Sequence, residues 1–224
     1  MSLWKRSSAE AIGTAFLLAV VVGSGIMAQR LASGQPALAL LANALATGAG
    51  LVALILSLGP ISGAHLNPVV TLSLAIRKAM PWSEVPAYVL AQTFGAFVGV
   101  AAAHTMFELP LFFAAQQVRS GMAQGFSEFV ASFGLIAVIL GCLRARPNMV
   151  AFAVGAYITA AYWFTASTSF ANPAVTLARA ASDTFAGIRP ADAPIFIAAQ
   201  ILGALAATAW LHWLQDGPQP HGSR

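Results

Sequence analysis

The sequence predicts an all-α membrane protein with six transmembrane helices, two re-entrant half-helices and an inverted repeat of three spans. The first supporting observation is composition: the 224 residues are 58% hydrophobic and 8% charged, with a mean hydropathy of +0.77. A soluble domain of this size does not tolerate such a balance on its surface. The second is a set of apolar stretches near the ~20 residues that a spanning helix needs. The third is a pair of Asn-Pro motifs, one in each half.

The six predicted spans follow one another along most of the chain, near residues 9–27, 37–58, 85–107, 126–143, 149–164 and 194–214. The first stretch is too long for a removable signal peptide and lacks a small-residue cleavage pattern, so it is taken as the first span. The single cysteine, Cys142, excludes an intrachain disulfide and a thiolate metal cluster.

The charge pattern indicates membrane topology. The eleven basic residues are scattered at span ends and form no block that could follow nucleic-acid phosphates. With both termini in the cytoplasm, the positive-inside rule is obeyed. We therefore expect a multi-pass protein of the inner (plasma) membrane, surrounded by lipid, with cytoplasmic Lys5, Arg6, Arg77, Lys78, Arg144, Arg146 and Arg224, and external Arg30, Arg119, Arg179 and Arg189.

An internal repeat organises the chain. The segment "AEAIGTAFLLAVVVGSGI" from residue 9 resembles "SEFVASFGLIAVILGCLR" from residue 127, and "AQTFGAFVGVAAA" from residue 91 resembles "AQILGALAATAWL" from residue 199. Each unit has an odd number of spans, so the second enters the membrane in the opposite orientation. The prediction is one channel domain, 1–224, made of inverted repeats 1–115 and 116–224.

Each repeat contains a half-helix, one starting at Asn67 and the other at Asn172. Proline is favoured in the first turn of a helix, and asparagine is a strong N-cap. The preceding loops, "ISGAHL" and "STSFA", are tolerated at membrane depth only if they line an aqueous cavity or are buried in protein. The predicted midplane motifs are Asn67, Pro68, Val69, Asn172, Pro173 and Ala174, and the predicted pore carbonyls belong to Gly63, Ala64, His65, Leu66, Thr168, Ser169 and Phe170.

Opposed half-helix starts would shape what the pore excludes. Each contributes about half a positive charge from its macrodipole, which repels cations, and each asparagine offers amide N–H donors. Glu10 and Glu128 occupy matching places in the first and fourth spans, where a carboxylate costs about 2.5–3.5 kcal/mol or more without partners. We predict that they accept the loop N–H groups. The alternative is a neutral glutamic acid satisfied by one neighbour.

With six spans, two half-helices, paired Asn-Pro motifs and a glutamate in spans one and four, the chain resembles the aquaporin family, also called the major intrinsic proteins. The resemblance covers essentially the whole chain. It implies a homotetramer in which each protomer has its own passive pore. The first motif departs from the family because Val69 replaces the usual alanine. The second is followed by Val175, where members that pass water or glycerol carry a filter arginine.

Counting from the motifs carries the family's selectivity filter to Thr47, Ala160, Ser169 and Val175. The position of Ala160 depends on an ungapped count, and Tyr162 or Trp163 could approach the pore instead. Such a filter resembles that of the aquaporins of arsenic-resistance operons. The resemblance suggests neutral metalloid hydroxides such as arsenous acid as the cargo, with a glycerol, water or broad neutral-solute facilitator as the first alternative.

Two other functional classes are alternatives to a channel. An ion-coupled secondary transporter can also have inverted repeats, but few intramembrane ionisable groups are available here. An enzyme, a cofactor or a metal site has little support because His65 has no second ligand nearby in sequence.

Arg179 shares one helical face with Asn172 and Val175. We expect it in the outer vestibule, ~6 Å outward of Val175, with an interfacial anchor as the alternative.

Overall fold

In the computed structural model, the described residues 1–215 form eight α-helices, and the predicted cytoplasmic Arg224 lies outside them. The helices in chain order are α1 Leu3–Leu31, α2 Pro36–Ser62, α3 Pro68–Ile76, α4 Val85–Met106, α5 Met122–Ala145, α6 Val150–Phe164, α7 Pro173–Arg179 and α8 Ala193–Gln215. Short 3-10 turns precede α4, α6 and α8. The all-helical membrane fold predicted from the sequence is confirmed.

Five of these helices are long and apolar enough to cross a membrane: α1, α2, α4, α5 and α8, with α4 and α8 extended by their 3-10 turns. The sixth predicted span is α6, which has only 15 residues, fewer than the ~17–25 usual for a spanning helix. It is short because Thr165 adopts an extended conformation and the chain enters the second loop there. The 3-10 turn Pro147–Met149 continues the span at its other end.

The half-helices α3 and α7 have 9 and 7 residues. Each begins with proline, and each is capped by an asparagine whose side-chain oxygen accepts backbone N–H groups of the first turn. This cap satisfies donors that otherwise have no partner at a helix start. The local chemistry of Asn-Pro therefore determines where both half-helices begin.

Close backbone contact joins α1 to α4 and α5 to α8. A Cβ atom at Gly95 would clash with the backbone carbonyl oxygen of Ala11, and one at Gly203 would clash with that of Phe129. Small residues allow such close approach between helices in membranes. Because Gly95 and Gly203 occupy matching places in the two halves, the same packing occurs twice.

Contacts at the two ends of the helices agree with the predicted grouping of charges. At one end, Arg6 forms a bidentate ion pair with Glu84, with hydrogen bonds of 2.7 and 2.6 Å. At the other end, Arg30 donates to the carbonyl oxygen of Phe107 at 3.0 Å, and the backbone N–H of Arg119 donates to Asp192 at 2.9 Å. Arg6 and Arg30, assigned to opposite sides by charge, therefore lie at opposite ends of α1, and which end faces the cytoplasm stays a prediction.

The glycine contacts give a test of the repeated packing. Gly95→Val and Gly203→Val should each strongly reduce the yield of monodisperse protein after detergent extraction, because the added side chain separates the paired helices. Gly141→Val is the matched control, since an added Cβ there meets no atom within 4 Å. Wild-type yield and thermal stability of either Gly95→Val or Gly203→Val would contradict the close approach.

Candidate functional site

A cavity of about 300 Å³ lies between the two halves and contains both motif asparagines. It is lined by side chains from α1, α2, α3, α5, α6 and α7 and by the two loops that precede the half-helices. Of the predicted site residues, the structure brings the following to this lining: Thr47, Gly63, Ala64, His65, Leu66, Asn67, Ser169, Phe170, Asn172, Val175 and Arg179.

The two asparagines tie the loops to each other. The side-chain amide of Asn67 donates to the carbonyl oxygen of Ala171 at 2.8 Å, and that of Asn172 donates to the carbonyl oxygen of Leu66 at 2.8 Å. Their side-chain oxygens accept from Val69 N and from Ala174 N, the caps of α3 and α7. Since an amide nitrogen carries two hydrogens, each asparagine keeps a second N–H beside the cavity.

Glu10 holds the first loop through both carboxylate oxygens. One oxygen accepts from the backbone N–H of His65 at 3.0 Å and from the Ser62 hydroxyl at 2.6 Å. The other accepts from the backbone N–H of Leu66 at 2.7 Å and from the Gln92 amide at 2.8 Å. Glu10 is fully buried. Several strong donors, and not one neighbour, thus satisfy this carboxylate.

Glu128 holds the second loop in the same way. Its oxygens accept from the backbone N–H groups of Phe170 at 2.9 Å and Ala171 at 2.8 Å, and from the Gln200 amide at 2.6 Å. Gln92 and Gln200 also donate to the hydroxyl groups of Thr71 and Thr176, at 3.0 and 2.9 Å respectively. These four polar residues were not predicted from the sequence, although both glutamines lie in the second repeated segment, "AQTFGAF" and "AQILGAL".

The backbone of both loops is strained in matching places. Ala64 and Leu66 have φ of 47° and 49°, and Ser169 and Ala171 have φ of 51° and 49°. A non-glycine residue in the left-handed region costs on the order of 1 kcal/mol or more and persists only when its surroundings impose it. Here the glutamate and asparagine hydrogen bonds impose it, and they leave the loop backbone facing the cavity.

Most of the remaining lining is apolar. Leu17 and Val21 of α1 match Leu135 and Ile139 of α5, and further aliphatic side chains come from Leu51, Ile55, Val70, Leu74, Leu143, Val150, Val154 and Ile158. The lining therefore combines a few polar groups with a large apolar surface. A solute that carries both hydroxyl groups and apolar surface matches such a lining.

Two hydroxyl groups meet in the lining near the predicted filter, and a third hydroxyl-bearing residue, Ser169, also belongs to the lining. The Thr47 hydroxyl lies 3.2 Å from the Tyr162 hydroxyl, and both residues are buried and line the cavity. The buried Ser169 hydroxyl has no hydrogen-bond partner within the described residues. Val175, also in the lining, adds an apolar surface where the family resemblance implies an arginine. The group can exchange hydrogen bonds with a neutral solute but contributes no charge.

The expectation for Ala160 is wrong. Ala160 is exposed on the outer surface of α6 and is not part of the cavity lining, whereas Tyr162 is 3% exposed and lines the cavity. The reason is helical spacing: Val154, Ile158 and Tyr162 recur every four residues and share one face. That stripe was visible in the sequence and would have selected Tyr162. Trp163, the other alternative, is 48% exposed.

Some predicted motif residues lie behind the cavity surface. Thr168 is not in the lining, and its hydroxyl lies 3.4 Å from a terminal nitrogen of Arg119. The motif residues that follow the asparagines are also absent from the lining: Pro68, Val69, Pro173 and Ala174. Val69 and Ala174 are almost fully buried. Their contribution is to start the half-helices, while the asparagines face the cavity.

Arg179 lies in the cavity lining and is 2% exposed, so its side chain does not extend to the membrane surface. Its Nε donates to the carbonyl oxygen of Ala186, and its guanidinium carbon lies 3.3 Å from the Phe170 ring centroid.

Arg119, predicted from the sequence only as an external charge, lies beside the same ring, with its guanidinium carbon 5.1 Å from the ring centroid. Burial lowers the pKa of the Arg119 guanidinium, but arginine stays charged at neutral pH. Arg119 comes from a loop distant in sequence, so local pattern could not place it there.

Within residues 1–215, no group of three or more His, Cys, Asp or Glu side chains is arranged to hold a metal ion. The carboxylates nearest the cavity, Glu10 and Glu128, are occupied by loop N–H groups. The site therefore offers hydrogen-bond donors and acceptors along a passage, and its chemistry is that of recognition.

Comparisons with known proteins agree with this geometry. The family model of the major intrinsic proteins matches residues 1–149 and 143–223. The chain is 54% identical to aquaglyceroporin AqpS of Rhizobium meliloti (strain 1021), covering 97% of this chain and 93% of that protein. It is 33% identical to a probable aquaporin, AqpM, of Archaeoglobus fulgidus, over 95% and 97% of the two chains. The crystal structure of the Plasmodium falciparum aquaglyceroporin has the same fold, with a TM-score of 0.70, 20% identity, and coverage of 93% and 95%.

The glutamate contacts generate a stability prediction. In Glu10→Gln or Glu128→Gln, an amide nitrogen at either oxygen position faces a loop N–H group, so at least one buried donor loses its acceptor. This costs about 1–3 kcal/mol and should lower the thermal unfolding midpoint in detergent by several degrees. Glu108→Gln, an exposed carboxylate, is the control. Equal midpoints for all three variants would show that the loops do not depend on these carboxylates.

Proposed function

Because the chain belongs to the major intrinsic protein family, whose members are membrane channels and not enzymes, we propose that it is a passive channel for small uncharged solutes with several hydroxyl groups. Metalloid hydroxides such as arsenous acid are the favoured cargo. The carrying observation is the filter region, where Val175 lies with the hydroxyl groups of Thr47, Tyr162 and Ser169 and no guanidinium occupies position 175. Arsenous acid presents three hydroxyl groups and no charge at neutral pH, which suits these partners.

The cavity lining supports the same proposal. A solute that leaves water must replace its hydrogen bonds, and the asparagine amides, the loop backbone and the Thr47 and Tyr162 hydroxyl groups of the lining provide partners. The aliphatic side chains that form most of the lining provide none, so a hydrated ion would lose much of its shell there. This difference favours neutral solutes over ions.

Passive flux is favoured over ion coupling. The cavity lining of the described residues contains no Asp or Glu, and the nearby carboxylates of Glu10 and Glu128 each accept several hydrogen bonds. A coupled transporter needs a site that binds and releases the driving ion. Nothing in this lining supplies a carboxylate for it.

Glycerol is the second candidate, and the name of the relative at 54% identity, an aquaglyceroporin, favours it. Glycerol also carries three hydroxyl groups on a short carbon chain, which fits a lining with a few polar groups and a large apolar surface. Tyr162 narrows the filter more than a small residue at that position would, so discrimination by size is expected between glycerol and larger polyols.

The proposal includes the setting of the pore. We place the chain in the plasma (inner) membrane with both termini in the cytoplasm, in agreement with the positive-inside bias. We also propose repeats 1–115 and 116–224 as the units of one channel domain, and a homotetramer in which each protomer has its own pore. These assignments rest on charge placement, internal repetition and the family.

A comparison of fluxes tests the proposal. Proteoliposomes should take up arsenous acid and glycerol faster than protein-free liposomes, down the gradient and without a proton or sodium gradient. The ratio of the uptake rate with protein to the rate in protein-free liposomes should be largest for arsenous acid. If only water flux rises, the neutral-solute proposal fails; if uptake requires an imposed ion gradient, the passive mechanism fails.

Position 175 gives the sharpest variant. Val175→Arg should reduce glycerol and arsenous acid flux by about tenfold or more while reducing water flux less, because the guanidinium narrows the filter and adds fixed donors. Val175→Thr is the matched control, since it keeps the side-chain volume and adds no charge. Folded Val175→Arg protein with parental glycerol flux would show that this position does not limit passage.

A further inference from the structure

Two guanidinium groups share one aromatic ring at the end of the cavity that the charge pattern assigns to the outside. The guanidinium carbon of Arg179 lies 3.3 Å from the Phe170 ring centroid and that of Arg119 lies 5.1 Å from it. The two carbons are therefore separated by no more than these two distances combined. Two positive groups therefore lie at one place in the structure, and each can donate N–H···O bonds of about 2.7–2.9 Å to an anion.

Both groups are fixed through one loop. Arg179 Nε donates to the carbonyl oxygen of Ala186, and Arg119 Nε donates to that of the next residue, Gly187, at 2.8 Å. A side chain at Gly187 would clash with the backbone at Ser182, so the loop is closely packed. One terminal nitrogen of Arg119 donates to the carbonyl oxygen of Ser167 at 3.2 Å and to the Thr168 hydroxyl at 3.4 Å, which leaves its other terminal nitrogen for a ligand. Within residues 1–215, neither terminal nitrogen of Arg179 has a hydrogen bond, although the residue is 98% buried in the cavity wall.

Neither guanidinium forms an ion pair with a carboxylate within the part of the chain that the structure describes. Asp192 accepts from the backbone N–H of Arg119 and forms its ion pair with Arg189. Asp183 accepts from the backbone N–H of Gln116. A buried, unpaired guanidinium carries a large desolvation cost unless it gains a counter-charge. Arg179 is buried and Arg119 is partly exposed, so two positive charges beside one ring would be stabilised by an anion that reaches them.

We propose that Arg119 and Arg179 form a binding site for a small oxyanion at the outer mouth of the pore. Guanidinium groups recognise oxyanions because parallel N–H donors match pairs of oxygens, which a monatomic anion lacks. The site lies beyond the filter and takes a charged ligand, so it goes beyond the function proposed for neutral solutes. An oxyanion held there obstructs the mouth, and external oxyanion therefore inhibits neutral-solute flux.

Binding is tested on the purified full chain in detergent, with inorganic phosphate as the probe and chloride at equal ionic strength as the comparison. The matched ionic strength removes general screening effects. The parent should bind phosphate more tightly than chloride. Arg179→Gln and Arg119→Gln should each weaken phosphate binding about tenfold or more, which corresponds to about 1.4 kcal/mol. Arg179→Lys, which keeps the charge but loses the paired donors, should lose the preference for phosphate over chloride.

Arg30→Gln is the matched control. Arg30 also lies over a phenylalanine, 5.1 Å from the Phe107 ring centroid, and donates to a carbonyl oxygen, but it is exposed and away from the cavity. This variant removes the same charge from the same end and should bind phosphate as the parent does. If Arg179→Gln does not fold, the half-exposed Arg119→Gln decides the result.

Flux provides the second measurement. Phosphate should inhibit glycerol uptake by parent proteoliposomes, and the half-inhibiting concentration should rise about tenfold in Arg119→Gln. Equal phosphate and chloride binding by the parent, or unchanged phosphate binding in Arg119→Gln and Arg179→Gln, would overturn the proposal. Binding is measured without solute flux, so a parent that binds phosphate but passes no neutral solute contradicts the proposed function alone.

Discussion

The structure depends on satisfying two stretches of irregular backbone at membrane depth. Lipid offers no hydrogen bonds, so each loop N–H that faces away from the cavity needs a partner from the protein. Glu10 and Glu128 provide most of these partners, and each asparagine amide reaches across to a carbonyl of the opposite loop. The loops can then present their remaining polar groups to the cavity. Without the carboxylates, the same backbone would have to rearrange or close the passage.

Helix packing brings these partners within reach. Gly95 lies against Ala11, the residue after Glu10, and Gln92, three residues before Gly95, donates to that carboxylate. The other half repeats the arrangement: Gly203 lies against Phe129, and Gln200 donates to Glu128. A bulkier residue at either glycine would move the glutamine away from its glutamate. Close helix approach and loop geometry are therefore coupled, which explains why the repeated sequence contains the glutamine and the glycine together.

Much of this could be predicted from the sequence, because its signals are local or periodic. Asn-Pro at an apolar boundary predicts a capped helix start, and a glutamate repeated in matching spans predicts a buried acceptor. The misses have physical reasons. The count back from Asn172 that predicts Ala160 passes through Thr165, where the chain is extended and the spacing of a regular helix no longer applies. Arg119 reaches the cavity mouth through a long loop whose path is set by tertiary contacts, and no period in the sequence reports it.

The position of an arginine along α7 determines whether one side chain sets both the electrostatic potential and the width of the passage. At position 175, a guanidinium would occupy the filter, so it would impose both a positive potential and a narrow passage. At position 179, one turn further along α7, the guanidinium is held by Ala186 and Phe170 at the cavity end. The guanidinium of Arg179 still gives the cavity end a positive electrostatic potential, because the potential extends over several ångströms in a poorly screened environment. Width is instead left to Val175, Tyr162 and the small side chains beside them. If the channel works as we propose, it repels cations at its mouth while its filter accepts neutral solutes larger than water.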